Sequence, residues 1–238
     1  MIKGKYDAIL LDLDGTLLDI DLDQFIPAYV KSLAGRFSDY IEPHTFSAHL
    51  FGSTITMVNN SDAAKNNREV FYEDFCRRID YSYENIKPVI DDFYRNDFPK
   101  LSCWGRKVPH SEAVIEAVLA QKVPLVLATN PIFPPEAVYQ RIKWAGLSAD
   151  QFSLVTTMDN MHFCKPNPEY YLEIANKINC PPDNCLMAGN DTLEDLIAAE
   201  VGMETFLVDD YILHRKGHDP DYNYRGSLED LANFLKEE

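Results

Sequence analysis

Basic residues are scarce in this chain. Of its 238 residues, 22 are Lys or Arg against 38 Asp or Glu, a formal charge of −16. No cationic excess is available to neutralise phosphates or anionic headgroups, which excludes nucleic acid and an anionic membrane surface as partners. Cysteine is also sparse: Cys76, Cys103, Cys164, Cys180 and Cys185 make an odd count with no C-x-x-C spacing. A disulfide framework or a zinc knuckle is therefore not expected, and a reducing compartment fits best. Long apolar runs are missing too. The longest stretch without Asp, Glu, Lys or Arg, residues 43–61, contains His44, His49, Asn59, Asn60 and several hydroxyls, so it is no membrane span. Met1-Ile2-Lys3-Gly4-Lys5 leads into a short apolar run rather than a signal-peptide core, so a soluble, cytoplasmic protein is expected. What remains is ordinary for a globular protein, with 46% hydrophobic and 25% charged residues. The length allows one large domain, or a core with a smaller companion.

Short apolar runs at 6–11, 123–128, 152–155, 185–188 and 205–208 each stop at a small or polar residue. Runs of this length suit buried parallel strands. Helical patterns lie between them at about 110–121, 134–146, 168–178 and 192–201, with a last one near 228–236. The alternation predicts an α/β fold with a doubly wound parallel sheet, whose ligands sit beyond the carboxyl ends of the strands. The stretch 19–100 breaks the rhythm, with amphipathic patterns near 22–37, 44–59, 66–80 and 84–96 and no convincing strand. It holds 14 of the 28 aromatic residues and reads as an all-helical insertion between the first and second core strands. Phe25, Tyr29, Phe37, Phe71, Tyr72, Phe75, Phe93 and Tyr94 recur at helical spacing, as a bundle core does. Arg36, Arg68 and Arg95 are surface residues within reach of a substrate at most, and His214 and His218 lie in a polar loop without metal-ligand spacing.

Chemistry concentrates at four strand ends. Asp12 closes the first apolar run and Asp14 follows two residues on, before Gly15 and Thr16. Two carboxylates this close repel unless a cation or proton lies between them, and Gly15 allows a sharp turn. The second is Thr129-Asn130-Pro131, a hydroxyl and an amide at another strand end. The third is Lys165-Pro166-Asn167-Pro168, where Asn167 suits an N-cap and Pro168 the first helical position. Here Pro166 holds Lys165 extended before the helix. The fourth is Gly189-Asn190-Asp191, with Asp195 at the start of a helix. Taken singly, the last three also fit ordinary turns, a surface lysine and helix caps.

In this order, and each at a strand end, the four stretches resemble the motifs of the haloacid dehalogenase superfamily. The resemblance covers residues 1–18 and 101–238 as an α/β core, with 19–100 where that family places a helical cap of its first type. It implies a phosphatase acting through a covalent aspartyl-phosphate. Asp12 is then the nucleophile, and Asp14 the acid that protonates the leaving oxygen and the base that activates water. Thr129 and Asn130 bind phosphoryl oxygens, and Lys165 offsets charge on both nucleophile and phosphoryl group. Asp12, the Asp14 carbonyl and Asp191 form an all-oxygen Mg²⁺ site, with Gly15, Thr16, Asn190 and Asp195 in support. The commonest fourth motif has Gly-Asp where this chain has Gly189-Asn190-Asp191. Alignment on Asp195 places Asp191 at the ligand position, with Asn190 behind it or ligating through its amide oxygen. Asp14 sets the chain apart from dehalogenases, which resemble this pattern but lack the second aspartate.

The expected substrate is a small phosphorylated metabolite, and the expected assembly a monomer or homodimer. A phosphomutase of the same superfamily is the alternative. More remote are a non-catalytic phosphate-binding module and a receiver domain, the latter much shorter and without the D-x-D-G-T order.

Overall fold

The computed structural model describes residues 4–215 and 221–236, so His218 lies outside the described residues. Their strands are β1 (Ala8–Leu11), β2 (Leu18–Ile20), β3 (Gly105–Lys107), β4 (Leu125–Leu127), β5 (Leu154–Val155), β6 (Cys185–Gly189), β7 (Glu204–Val208) and β8 (Tyr224–Gly226). Six of them form one parallel sheet in the order β5-β4-β1-β6-β7-β8. All four side chains of β1 are fully buried because the strand is central and covered on both faces. Ile9 and Leu11 join one apolar cluster while Ala8 and Leu10 join the other, the period-two alternation of a strand.

The chain runs from β1 to β4 and β5 on one side, then crosses to β6 on the other side of β1. The order therefore reverses between β1 and β6, where ligands bind in such sheets. Register sharpens the point. Leu11 pairs with Leu127 on one side and Ala188 on the other, so the residues after β1, β4 and β6 emerge side by side.

Helices α1 (Leu22–Arg36), α2 (Pro43–Val58), α3 (Asn67–Ile79) and α4 (Tyr83–Asn96) fall between β2 and β3. The eight aromatics at helical spacing in this stretch are all buried. An Asn66–Glu69 capping box starts α3, and the amides of Asn67 and Arg68 donate to the carbonyls of Met161 and Met158. The first turn of α3 is thereby bonded to the loop after β5. Along the sheet lie α5 (Ser111–Gln121), α6 (Pro135–Trp144), α7 (Glu169–Ile178) and α8 (Leu228–Phe234).

Three features differ from the sequence expectation. The helix expected over 192–201 is a 3-10 helix, Leu196–Val201. The amides of Leu193 and Glu194 donate to Asp191 Oδ1, and that of Asp191 to Asp195 Oδ2, so side chains hold the backbone that a longer helix would use. The polar stretch read as a loop supplies β8, a three-residue edge strand too short to carry a pattern. An antiparallel ribbon also forms, where β2 pairs with β3 at the two ends of the helical insertion.

Candidate active site

Asp12 follows β1 directly, and its amide donates to the Ala188 carbonyl at 3.0 Å, which continues the ladder into the loop. Asp12 as a whole is 7% exposed. Oδ1 accepts from Lys165 Nζ at 2.9 Å, and the same ammonium donates to Asp195 Oδ1 at 2.6 Å. Lys165 is buried, so one cation is shared by two acids beneath the surface. Burial pushes the Asp12 carboxyl well above the usual range; Lys165 pulls it down, and the Asp195 and Asp14 charges push it up again. Burial alone would lower Lys165, but Asp12 and Asp195 hold it well above the ordinary lysine value. Asp195 also takes the Asp191 amide at 2.9 Å, which ties the ammonium to the acidic loop.

Gly15 has a φ of +83°, the left-handed region, and a Cβ on it would meet the Asn190 side chain at 2.2 Å. Asn190 is thus seated on the turn that follows Asp14. It accepts from Thr16 Oγ1 at 3.2 Å and donates to the Tyr211 carbonyl at 2.7 Å. Asp191 sits otherwise: Oδ1 takes the two loop amides, and Oδ2 accepts from Arg215 Nε at 2.8 Å and Nη2 at 2.5 Å. Thr129 is buried with its carbonyl accepting from Thr156 Oγ1 and Tyr170 Oη, which leaves its hydroxyl out of those bonds. Asn130 donates to Glu194 Oε2 at 3.0 Å and to the Lys165 carbonyl at 3.3 Å. Burial pushes the Glu194 carboxyl up to about 7, against the pull of Lys165.

Asp14 forms an ion pair with Arg141, a residue the sequence reading did not single out. Arg141 is 1% exposed and stands on α6 with its guanidinium 4.7 Å from the centre of the Phe133 ring. A signal was present: Val138, Arg141, Ile142 and Ala145 share one helical face, and a cation in that apolar stripe is out of place. Arg215 and Glu194 were also passed over, one in a polar loop and the other in a run of acids. Asp14 Oδ1, Asn130 Oδ1 and Arg141 Nε and Nη2 are buried without a hydrogen-bond partner among the described residues. Buried polar atoms are normally paired, so the unpaired atoms of the Asp14–Arg141 couple leave room for a further polar partner there.

Among the described residues, no three His, Cys, Asp or Glu side chains are grouped to hold a metal by themselves. The donors that the resemblance names are all oxygens: the Asp12 carboxylate, the Asp14 carbonyl, and the side chains of Asn190 and Asp191, whose oxygens accept here from Thr16 and Arg215. This all-oxygen set fits a hard divalent cation that keeps several waters. Other residues lie in structural bonds. Arg36 pairs with Asp92 and Asp97, Arg68 with Asp159, and His162 with Glu173. Arg95 and His214 are exposed, and Cys164 is buried.

The parallel sheet carries an acid–lysine–acid arrangement at its reversal point. A family model described as "Hydrolase: haloacid dehalogenase-like hydrolase" matches residues 6–202, and the chain belongs to that family. It is similar to a phosphoglycolate phosphatase of Neisseria gonorrhoeae, at 28% identity over 81% of this chain and 75% of that one. It is also similar to a phosphorylated carbohydrates phosphatase of Thermotoga maritima, at 23% identity over 76% and 74% of the two chains. The crystal structure of a phosphatase from Thermococcus onnurineus has the same fold, with a TM-score of 0.60, 18% identity, and coverage of 96% of this chain and 97% of that one. No helix among the described residues is long and apolar enough to cross a membrane.

Proposed function

We propose that the chain is a phosphatase that hydrolyses a small phosphomonoester through an aspartyl-phosphate on Asp12. The observation that carries this reading is Lys165, a buried ammonium held between Asp12 and Asp195 at the carboxyl end of the central strand. An anionic phosphate ester approaching a carboxylate needs its charge offset, and Lys165 is a fixed buried cation in contact with that carboxylate. Asp12 attacks phosphorus and the ester bond to the alcohol oxygen breaks, with the departing oxygen taking a proton from Asp14. Asp14 then removes a proton from water, which attacks the phosphoryl group, frees the Asp12 carboxylate and releases phosphate. The Thr129 hydroxyl orients the phosphoryl oxygens, joined by Asn130 if its side-chain amide leaves Glu194 and the Lys165 carbonyl. Asp14 sits against Arg141, which fixes its carboxylate for both proton transfers.

Mg²⁺, when bound, neutralises charge on the phosphoryl oxygens. Asp12, the Asp14 carbonyl and Asp191 would hold it; Asp191 Oδ2 accepts from Arg215 in this structure. Asn190, seated on Gly15, is the neighbouring donor. The chemistry belongs to a core of residues 1–18 and 101–238, and substrate choice to a cap of residues 19–100.

The test is phosphate release from a broad panel of phosphomonoesters, with Mg²⁺ and with EDTA, for wild type and Asp12→Asn. Release that depends on Mg²⁺ and disappears in a folded Asp12→Asn protein is the expected result. Substantial release by that variant puts the nucleophile elsewhere. A sugar bisphosphate in the same assay separates a mutase, which interconverts phosphosugars without net phosphate.

A further inference from the structure

The first turn of α3 bonds to the two segments that carry Thr129 and Lys165. Asn67, the first residue of that helix, is fully buried. Its Nδ2 donates to the carbonyls of Pro131 and Phe163, each at 3.4 Å. Pro131 stands two residues after Thr129, and Phe163 two residues before Lys165. One side chain from the inserted helices therefore bridges both segments assigned to the phosphoryl group. The core ties the same loops together at two further points. Asn130 Nδ2 donates to the Lys165 carbonyl at 3.3 Å, and the Met158 backbone N–H to the Phe133 carbonyl at 3.0 Å.

An asparagine suits this bridge. Its amide nitrogen carries two N–H donors and no charge, so it can serve two carbonyls at once without competing with Lys165 for the acids. Neither carbonyl takes another hydrogen bond among the described residues. A backbone carbonyl shut away from water without a donor is costly, so both depend on Asn67. The helix end fixes the side chain in turn. The backbone N–H of Asn67 donates to the Met161 carbonyl and that of Arg68 to the Met158 carbonyl, both at 2.8 Å. Asn67 Oδ1, by contrast, is buried without a partner among the described residues. An unpaired buried acceptor weakens a fold, so packing alone would favour an apolar residue at this position. What Asn67 supplies and an apolar residue lacks is the pair of donors.

We propose that Asn67 is a positioning residue for the reaction: it sets the spacing between the Thr129 and Lys165 segments, so the phosphoryl site is complete only with the first turn of α3 in place. The inference rests on the phosphatase reading for what Thr129 and Lys165 do, and on the bonds of Asn67 for how they are spaced. The inserted helices then contribute to the rate without an atom of Asn67 touching the reacting bond.

The experiment measures kcat and KM on the best ester of the panel for Asn67→Ala, Asn67→Ser and Asn66→Ala, with the unfolding midpoint of each. Asn66→Ala is the control from the same turn. It removes the helix cap and the bond to the Asp159 carbonyl but touches neither bridged carbonyl. Misplacing a reacting group by about 1 Å costs about a hundredfold, so kcat should fall about tenfold to a hundredfold in Asn67→Ala. The fall should be smaller in Asn67→Ser, whose hydroxyl keeps one donor, and absent in Asn66→Ala. In a Thr129→Ala background Asn67→Ala should cost less than about threefold, because one group it positions is gone. An unchanged kcat in Asn67→Ala, an equal fall in Asn66→Ala, or full additivity with Thr129→Ala overturns the proposal and leaves the phosphatase reading standing. If Asn67→Ala does not fold, Asn67→Ser carries the same comparisons. If the wild type cleaves no ester, the phosphatase reading falls, and the amide resonances of Thr129 and Lys165 decide the spacing by NMR. Shifts in the Asn67 variant that are absent from Asn66→Ala uphold the bridge; any other pattern sinks it too.

Discussion

The guanidinium of Arg141 grips the Asp14 carboxylate across 127 positions of sequence, from the helix that follows the second core strand. The pair leaves Arg141 Nε and Nη2 and Asp14 Oδ1 buried without hydrogen bonds among the described residues. Arg141→Lys keeps a charge but loses the planar fork and the stacking on Phe133. We expect kcat to fall at least tenfold in Arg141→Lys with KM little changed, and further in Arg141→Met. Steady-state kinetics on the best ester of the panel measures this, and an unaltered kcat removes Arg141 as a positioning residue.

Lys165→Met leaves Asp12 and Asp195 facing each other under the surface without their shared cation. Removing one partner of a buried ionic group costs about 3–5 kcal/mol. The urea midpoint at pH 7 should drop accordingly, and activity should vanish. Lowering the pH, which protonates the stranded acids, should narrow the stability gap to wild type. A variant as stable as wild type at pH 7 would mean that the two carboxylates are not held as charges.

Gly15→Ala tests the turn after Asp14. Its φ of +83° is unfavourable for any side chain, and the new Cβ has Asn190 in its way. The expected loss is at least about 2 kcal/mol of stability, together with activity, since the Asn190 side chain must move off the loop that carries Asp14. Gly35, whose added Cβ would meet nothing within 4 Å, provides the matched control. Both are read by thermal denaturation.

Asp74 is a purely structural acid in α3. Burial raises its pKa, but bonds from Arg78, Ser53 and Arg77 outweigh this and bring it down to about 2. A carboxylate whose folded pKa is depressed adds stability above its unfolded pKa of about 4 and loses it as pH falls through the folded value. The contribution is about 2 kcal/mol at most, less what solvent around the exposed Arg77 screens. Asp74→Asn should therefore be less stable than wild type at pH 7, with the difference closing between about pH 4 and pH 2. Chemical denaturation across that window measures it.

Arg215 occupies Asp191 Oδ2, so on the proposed reading it competes there with Mg²⁺. Arg215→Ala should bind Mg²⁺ more tightly by calorimetry, and Asp191→Asn should raise the Mg²⁺ needed for half-maximal activity far more than Asn190→Ala does. The opposite ranking, with no effect of Arg215→Ala, assigns the cation to Asn190.

How much of this was open to a reader of the sequence depends on range. The apolar runs that end at Asp12, Thr129 and Gly189 announce buried strands with polar ends, because a central parallel strand must be apolar throughout and its last residue meets the ligand. The lysine motif reads less closely: the sequence suggests Asn167 as the cap and Pro168 as the first helical residue, whereas Pro168 caps a helix that begins at Glu169. The sharing of Lys165 between Asp12 and Asp195 was out of reach, because it depends on the register between β1 and β6 and on a loop held by its own side chains. Strand β8 escaped for a different reason: three residues at a sheet edge are defined by the neighbour they pair with, not by their own pattern. Arg141 lay between these cases, a misplaced charge visible on its helix but without a visible partner.

The β2–β3 ribbon places both ends of the helical insertion next to each other, with Ile20 opposite Gly105. For the chain as a heritable object, that seam separates two texts. On the proposed division, the stretch between the paired strands could change while Asp12, Thr129, Lys165 and Asp195 stay in their places, provided its bonds to the loop after β5 are replaced. Reaction and choice of reactant can then drift independently, each answering to its own selection.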